Sequence, residues 1–226
     1  MKKYLYIIIF TLISFKALSH AEHYKGIIQI KMDVLRNGEE IGYSNYFFEK
    51  QNDYMIVKNY TNFKVKVLGA TIFSILSEGI ETYKDNQLIE FKSNTFQNDK
   101  EKFVNLQFNV NKNKYEINGS SYTGDADLDI IIGNWWNHKI LDAKKQVSPL
   151  SGSIKDQIVE FINEEEILIN NKNYLVERYK LKSKKDDLPK DKKLNFDIWY
   201  NPKNNIIMKI MYQRMGKWEY IVKDFK

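Results

Sequence analysis

No cysteine occurs among the 226 residues. That excludes disulfides, thiolate metal ligands and a cysteine nucleophile. It also excludes the lipid anchor that bacterial lipoproteins carry on a cysteine at the cleavage point. Histidine is scarce, with three residues, His20, His23 and His138. Zinc sites draw on His and Cys clusters, so no metal centre is expected. Glycine numbers ten and proline three. No Gly-rich phosphate loop and no Gly-x-Ser-x-Gly elbow is present. Also missing is a run of about 20 apolar residues, the length a helix needs to cross a bilayer.

What stands at the start is a leader. Lys2 and Lys3 precede an apolar stretch from Tyr4 to Ile13, and small residues follow. This is the pattern of a secretory signal. Cleavage is expected after Ala21, with Ser19 as a second register. The expectation is a leader over residues 1–21 and one β-rich domain over 22–226, in the periplasm and with no membrane span after cleavage. An uncleaved anchor is the alternative, but Lys16 interrupts the apolar run. Three lysines leave with the leader and no acidic residue does. The mature balance is then 32 basic against 29 acidic side chains, or +3 instead of +6. Such mild basicity does not indicate nucleic-acid binding, which uses clustered Arg and Lys on one face.

Period-two alternation dominates the rest, as in half-buried strands. It runs from Tyr24 to Leu35, then Asn37-Gly38 supplies a tight-turn dipeptide, and Ile41–Lys50 reads as the partner strand. Further strands are expected at 54–60, 63–67, 87–95, 103–110, 115–117, 154–161, 174–182, 194–200, 206–212 and 217–222. Ala70–Lys84 fits both strand and helix templates poorly. Asp129–Lys144, with Trp135-Trp136, reads as a short helix plus a crossover. Lys182–Lys193 mixes Lys with Asp and reads as a solvated hairpin loop. The expected fold is mainly β: a large, strongly curved antiparallel sheet or open half-barrel of about 10–12 strands, with one or two short helices.

Catalytic chemistry finds little support, and no catalytic residue is assigned. A lone His138 is more often structural than catalytic. Asp125, Asp127 and Asp129 open like a calcium loop, but Ile130 and Trp136 stand where Gly and Glu are required. They read as an acidic turn. Glu164-Glu165-Glu166 reads as a solvent turn. No cofactor is expected. What the chain has in quantity is aromatic side chains: 13 Phe, 15 Tyr and 4 Trp. Most serve a β core. Trp135, Trp136, Trp199 and Tyr200 are the candidate ligand-binding residues, at the rim of an apolar cavity inside the curved sheet.

Several short motifs follow one another along the chain. They are Asn37-Gly38-x-x-Ile41-Gly42, Val67-Leu68-Gly69, Ser93-Asn94-Thr95, Trp136-Asn137, Ser151-Gly152 and Trp199-Tyr200-Asn201. Together they resemble an uncharacterised exported proteobacterial family, a domain of unknown function. Asp85-Asn86 departs from the Asp-Gly of that pattern, yet Asn tolerates the left-handed conformation. More distantly the domain is similar in shape to periplasmic lipoprotein carriers, whose half-barrel cradles acyl chains. That likeness implies a ligand-holding role by analogy of fold alone. The leading expectation is a periplasmic, non-enzymatic binding module for an apolar small molecule or lipid. The rivals are an envelope assembly protein that contacts another protein through a sheet edge, and a hydrolase using His138 or scattered carboxylates.

Overall fold

The computed structural model describes residue 24, residues 26–190 and residues 192–226. The expected leader, residues 1–21, lies outside the described residues.

Fifteen strands form one sheet. They are β1 Gln29–Arg36, β2 Glu39–Gln51, β3 Tyr54–Val67, β4 Ala70–Lys84, β5 Gln87–Gln97, β6 Lys100–Asn109, β7 Lys114–Gly119, β8 Tyr122–Ala126, β9 Ile130–Ile132, β10 Lys145–Val147, β11 Ile154–Ile169, β12 Lys172–Ser183, β13 Asn195–Asn201, β14 Ile206–Gln213 and β15 Lys217–Phe225. Among the described residues a single short 3-10 helix, His138–Leu141, interrupts them. The spatial order is β8-β7-β6-β5-β4-β3-β2-β1-β15-β14-β13-β12-β11-β10-β9. Two meanders therefore spread from the β1–β15 pair. Their outer strands, β8 and β9, are consecutive in sequence, so the sheet curls into a nearly closed barrel. All pairs are antiparallel except β9 with β10. The seam is bridged where the Ser121 N–H donates to the Ser151 carbonyl, at 2.8 Å.

The mainly β, strongly curved sheet is as expected, but it holds more strands than the alternation suggests. Two differences have clear physical causes. Ala70–Lys84 is strand β4, with Ser77, Gly79, Glu81 and Tyr83 facing inward and Leu76 and Ile80 outward. The polarity is partly inverted, so neither periodic template recognises it. Glu164-Glu165-Glu166 is not a turn; the three lie within β11, opposite Glu177, Val176 and Leu175. Glu165 has a partner there, because its Oε1 accepts from Trp199 Nε1 at 2.6 Å.

Tight turns follow the sequence closely. Asn37 and Gly38 both have positive φ, 52° and 84°, as a type I′ hairpin requires. Asp85 and Asn86 do the same at 48° and 67°, so the departure from Asp-Gly is tolerated. Beyond Asn37-Gly38, a bulge falls between Val34 and Leu35 of β1, opposite Gly42 of β2. Gly42 has φ +154°, and a Cβ there would lie 2.1 Å from the Asn62 carbonyl oxygen on β3. Only glycine lets β2 and β3 approach this closely.

Buried side chains form two clusters. The larger fills the barrel and includes Trp136, Phe91, Ile198 and Ile210. The smaller closes the end where β3 meets β4, through Val34, Phe63, Val65, Ile75 and Trp218. Replacing Gly42 by Ala is expected to destabilise the domain by about 2–4 kcal/mol, combining backbone strain with a clash. Urea unfolding of the two proteins checks this; equal midpoints would refute the close-approach argument.

Candidate functional site

The crossover from β9 to β10 enters the barrel instead of passing outside it. Ile130, Ile131 and Ile132 are all buried, which matches a strand covered on both faces. Gly133 follows because Gln146 leaves no room: a Cβ would sit 2.2 Å from the Gln146 side-chain oxygen. Gln146 donates to Gln157 at 2.6 Å, and Gln157 donates to the carbonyls of Ile140 and Ala143 at 2.8 and 2.9 Å. These buried amides tie the crossover to β10 and β11. The Asn137 side chain accepts from the Lys139 N–H and starts the 3-10 helix.

The crossover is pinned by a carboxylate. Glu81 on β4 is 2% exposed. Its Oε1 accepts from Asn134 Nδ2 at 2.6 Å and from the Trp136 indole at 2.7 Å. Its Oε2 accepts from the Tyr83 hydroxyl at 2.5 Å. Trp136 is 1% exposed and meets Tyr24, Phe48 and Tyr83 edge-on, with centroids 5.1, 5.4 and 5.8 Å away. Burial pushes the Glu81 carboxyl above its usual 4.5, outweighing the three donors. When it is protonated, Oε2 can reverse its bond and donate to the Tyr83 oxygen.

Next to this node, the Tyr24 hydroxyl lies 2.7 Å from the Trp136 carbonyl and 2.9 Å from His138 Nδ1. The phenol has one proton. When it goes to the carbonyl, Nδ1–H of His138 donates to the phenol oxygen. The His138 ring stacks on Tyr200 with centroids 5.4 Å apart.

On the other side of the crossover a chamber of about 220 Å³ remains. Ser44, Tyr46, Asn59 and Thr61 line one wall, and Trp135, Leu150, Phe196 and Tyr220 line another. Ser44 and Thr61 share a 2.7 Å hydrogen bond, and Asn59 Nδ2 donates to the Asn45 carbonyl at 3.1 Å. The Tyr46 hydroxyl receives the Trp135 N–H at 3.2 Å. Trp135 packs edge-on against Phe196 at 5.1 Å. Burial raises the Tyr46 hydroxyl to about 12 and that of Tyr220 well above its usual range. Both phenols are therefore neutral, and the chamber sets hydroxyl and amide groups against aromatic rings, with Lys155 also on its lining.

The four candidate ligand-binding residues do not meet at one place. Trp135 and Trp136 are adjacent and diverge: Trp135 faces the chamber and Trp136 faces Glu81. Tyr200 reaches the Trp136 side through His138 and Tyr24. Trp199 lies on the outer face, between Arg178 and Lys209 at 5.1 and 5.2 Å. Neighbours on a strand point to opposite faces, so Trp199 and Tyr200 cannot share a site. The residues that sequence reading missed are Glu81 and the Ser44, Asn59 and Thr61 row. Their only signal is a polar side chain at inward parity on a strand. The aspartates at 125, 127 and 129 are a turn only in part: Asp125 lies in β8 opposite Glu116 and pairs with Lys112, Asp127 lies 3.8 Å from both Lys114 and Lys145, and the turn itself is residues 128–129.

The strands around this crossover, from β1 to β15, fall almost entirely within a recognised domain. A family model for a domain of unknown function, DUF6134, matches residues 32–223. The chain belongs to the DUF6134 family. Every residue of the Glu81 node, apart from the ring of Tyr24 packed against it, falls inside the DUF6134 match. Among solved structures, the chain is similar to a β-barrel-like protein of domain of unknown function DUF1849 from Brucella abortus. The TM-score is 0.61 at 9% identity, over 88% of this chain and 96% of that one. At that identity the likeness concerns the fold alone. A Bacteroides fragilis protein with a YmcC-like fold aligns over 88% of this chain and 94% of its own, at 10% identity and a TM-score of 0.35. No curated protein matches.

Two outcomes are expected at the node. Trp136→Ala should cost about 3–5 kcal/mol, the range for emptying a buried aromatic site, while Trp136→Phe costs less and leaves Glu81 Oε1 with Asn134 alone. Denaturant titration measures both. The second concerns pH. The folded protein holds the Glu81 proton more tightly than the unfolded chain does, so this contribution is complete below the usual 4.5 and fades as pH rises through the raised value. Glu81→Gln should flatten that loss. Parallel pH profiles of stability for the two proteins would refute it.

Proposed function

We propose that this DUF6134 protein is an exported, non-enzymatic binding module that holds a small, partly apolar ligand in the chamber beside Trp135. One observation carries the reading: the chamber sets a row of hydroxyl and amide groups opposite aromatic rings within the barrel. Ligand sites commonly combine apolar walls with a few placed polar groups. The volume, about 220 Å³, narrows the ligand. Drug-sized pockets begin near 300 Å³, whereas an engineered cavity of about 150 Å³ accepts benzene. A single ring with one or two polar substituents suits the space better than the acyl chain that a half-barrel carrier holds. The Trp136 plug occupies the room a long chain would need.

Export to the periplasm rests on the leader pattern in residues 1–21. Among the described residues, no helix is long and apolar enough to cross a membrane. Pairing with an envelope protein through a sheet edge has little edge to use, since β8 has 5 residues and β9 has 3. For His138, the contacts to Tyr24 and Tyr200 support a structural role over a hydrolytic one.

Native mass spectrometry of the protein purified from its host compartment should reveal a small neutral adduct. Binding should quench or shift the Trp135 emission, and Trp135→Phe should lose that signal. A screen of small aromatic and polyol compounds with no adduct and no spectral change, together with a crystal structure showing only water in the chamber, would sink the proposal.

A further inference from the structure

Twelve described residues other than glycine have positive φ. Ten are Asn or Asp, which tolerate this conformation through local hydrogen bonding. The exceptions are Leu68 at 50° and Met215 at 51°. Each directly precedes the glycine that completes its turn, Gly69 or Gly216. Each is also thrown into solvent, Leu68 at 103% exposure and Met215 at 82%. A large apolar side chain is thus placed where an Asn would fit the backbone better and the water better. Neither packing nor turn geometry accounts for that choice.

The two tips lie at the same end of the barrel. The β14–β15 turn is bonded to the β1–β2 turn, with the Lys217 N–H donating to Asn37 Oδ1 at 2.8 Å and the Asn37 N–H donating to the Lys217 carbonyl at 2.7 Å. Trp218 packs on Phe63 and Phe73 at 5.7 and 6.1 Å, which brings in the base of the β3–β4 hairpin. The Met215 turn is held rigid, because the Arg36 guanidinium donates to the Met215 carbonyl from both Nη2 and Nε, at 2.5 and 3.2 Å. Around Leu68, Val67 and Ile72 are 45% and 49% exposed. Beside these apolar tips stand exposed cations: Lys64 and Lys66 next to Leu68, and Arg214 next to Met215. Glu39 and Glu40 share the rim near the β1–β2 turn. The loop after β12 opens at this end too, and by sequence it carries five lysines against three aspartates over 184–193.

We propose that this rim docks on an anionic lipid surface, with Leu68 and Met215 as apolar wedges and Lys64, Lys66 and Arg214 as the headgroup contacts. Apolar side chains partition into the interface while adjacent cations are attracted to anionic headgroups. Rigid hairpin tips lose little entropy on insertion. The chamber is not involved, so this inference stands or falls apart from the proposed ligand.

The test is sedimentation of the mature protein with phosphatidylglycerol-containing vesicles and with phosphatidylcholine vesicles. Association with the anionic vesicles should exceed the other by roughly tenfold at low salt, and weaken as salt screens the cations. The double variant Leu68→Asn/Met215→Asn should lose most of that association while its unfolding midpoint stays level or rises. Three results would overturn the proposal. The wild type does not sediment with anionic vesicles; the double variant sediments as well as the wild type; or its unfolding midpoint drops, which would make the two side chains part of the fold.

Discussion

A carboxylate buried among aromatic rings is the constraint from which the interior follows. Such a group is costly unless hydrogen bonds meet it. Among the described residues, the partners of Glu81 are three donors and none is a cation: Tyr83, Asn134 and Trp136. Two of the three belong to the crossover. To satisfy Glu81 the crossover must thread into the barrel, and once inside it places Trp136 among Tyr24, Phe48 and Tyr83. Hydrogen bonding and aromatic packing thus favour the same path for the chain. The amides of Gln146 and Gln157 hold the far end of that path to the wall.

Threading divides the barrel. On one side the rings of Tyr24, Phe48, Tyr83 and Trp136 pack together as part of the hydrophobic core, with open clefts at their edges beside Met55 and beside Leu128. On the other side Trp135 meets a wall of hydroxyls and an amide, and space remains. A barrel of this size with an uninterrupted lumen could have housed an elongated ligand. The plug replaces that with a short chamber whose phenols, kept out of water, stay protonated and whose lining includes one cation, Lys155. The proposed ligand and its size both descend from the position of one indole.

The outer surface obeys separate rules. Most tight turns use Asn, Asp or Gly, the residues that enter the left-handed region at low cost. The two that use Leu and Met sit at one end, beside cations, over the smaller cluster of Phe63, Phe73 and Trp218. Stability would favour Asn at both positions. The departure from that preference is local to one rim, which sets this end of the barrel apart from the other.

The sequence by itself determined the class of the fold. Alternation in 24–35 and 41–50, with Asn37-Gly38 between them, encodes a hairpin because side-chain direction has period two and type I′ turns demand positive φ. The lack of cysteine and the scarcity of histidine likewise removed whole chemistries before any coordinates. Trp135, Trp136 and Tyr200 were legible as notable residues, though not their neighbours. Only the tertiary structure decided that β4 turns Glu81 inward, that the glutamate run in β11 is strand, and that Trp199 turns to the outer strand face, buried beneath Arg178 and Lys209. It also decided that two meanders meet at β8 and β9. The reason is range: alternation and turn propensity act over a few residues, whereas a buried carboxylate is satisfied by donors more than fifty positions away, as Glu81 is by Asn134 and Trp136. Local pattern cannot encode which distant donor arrives.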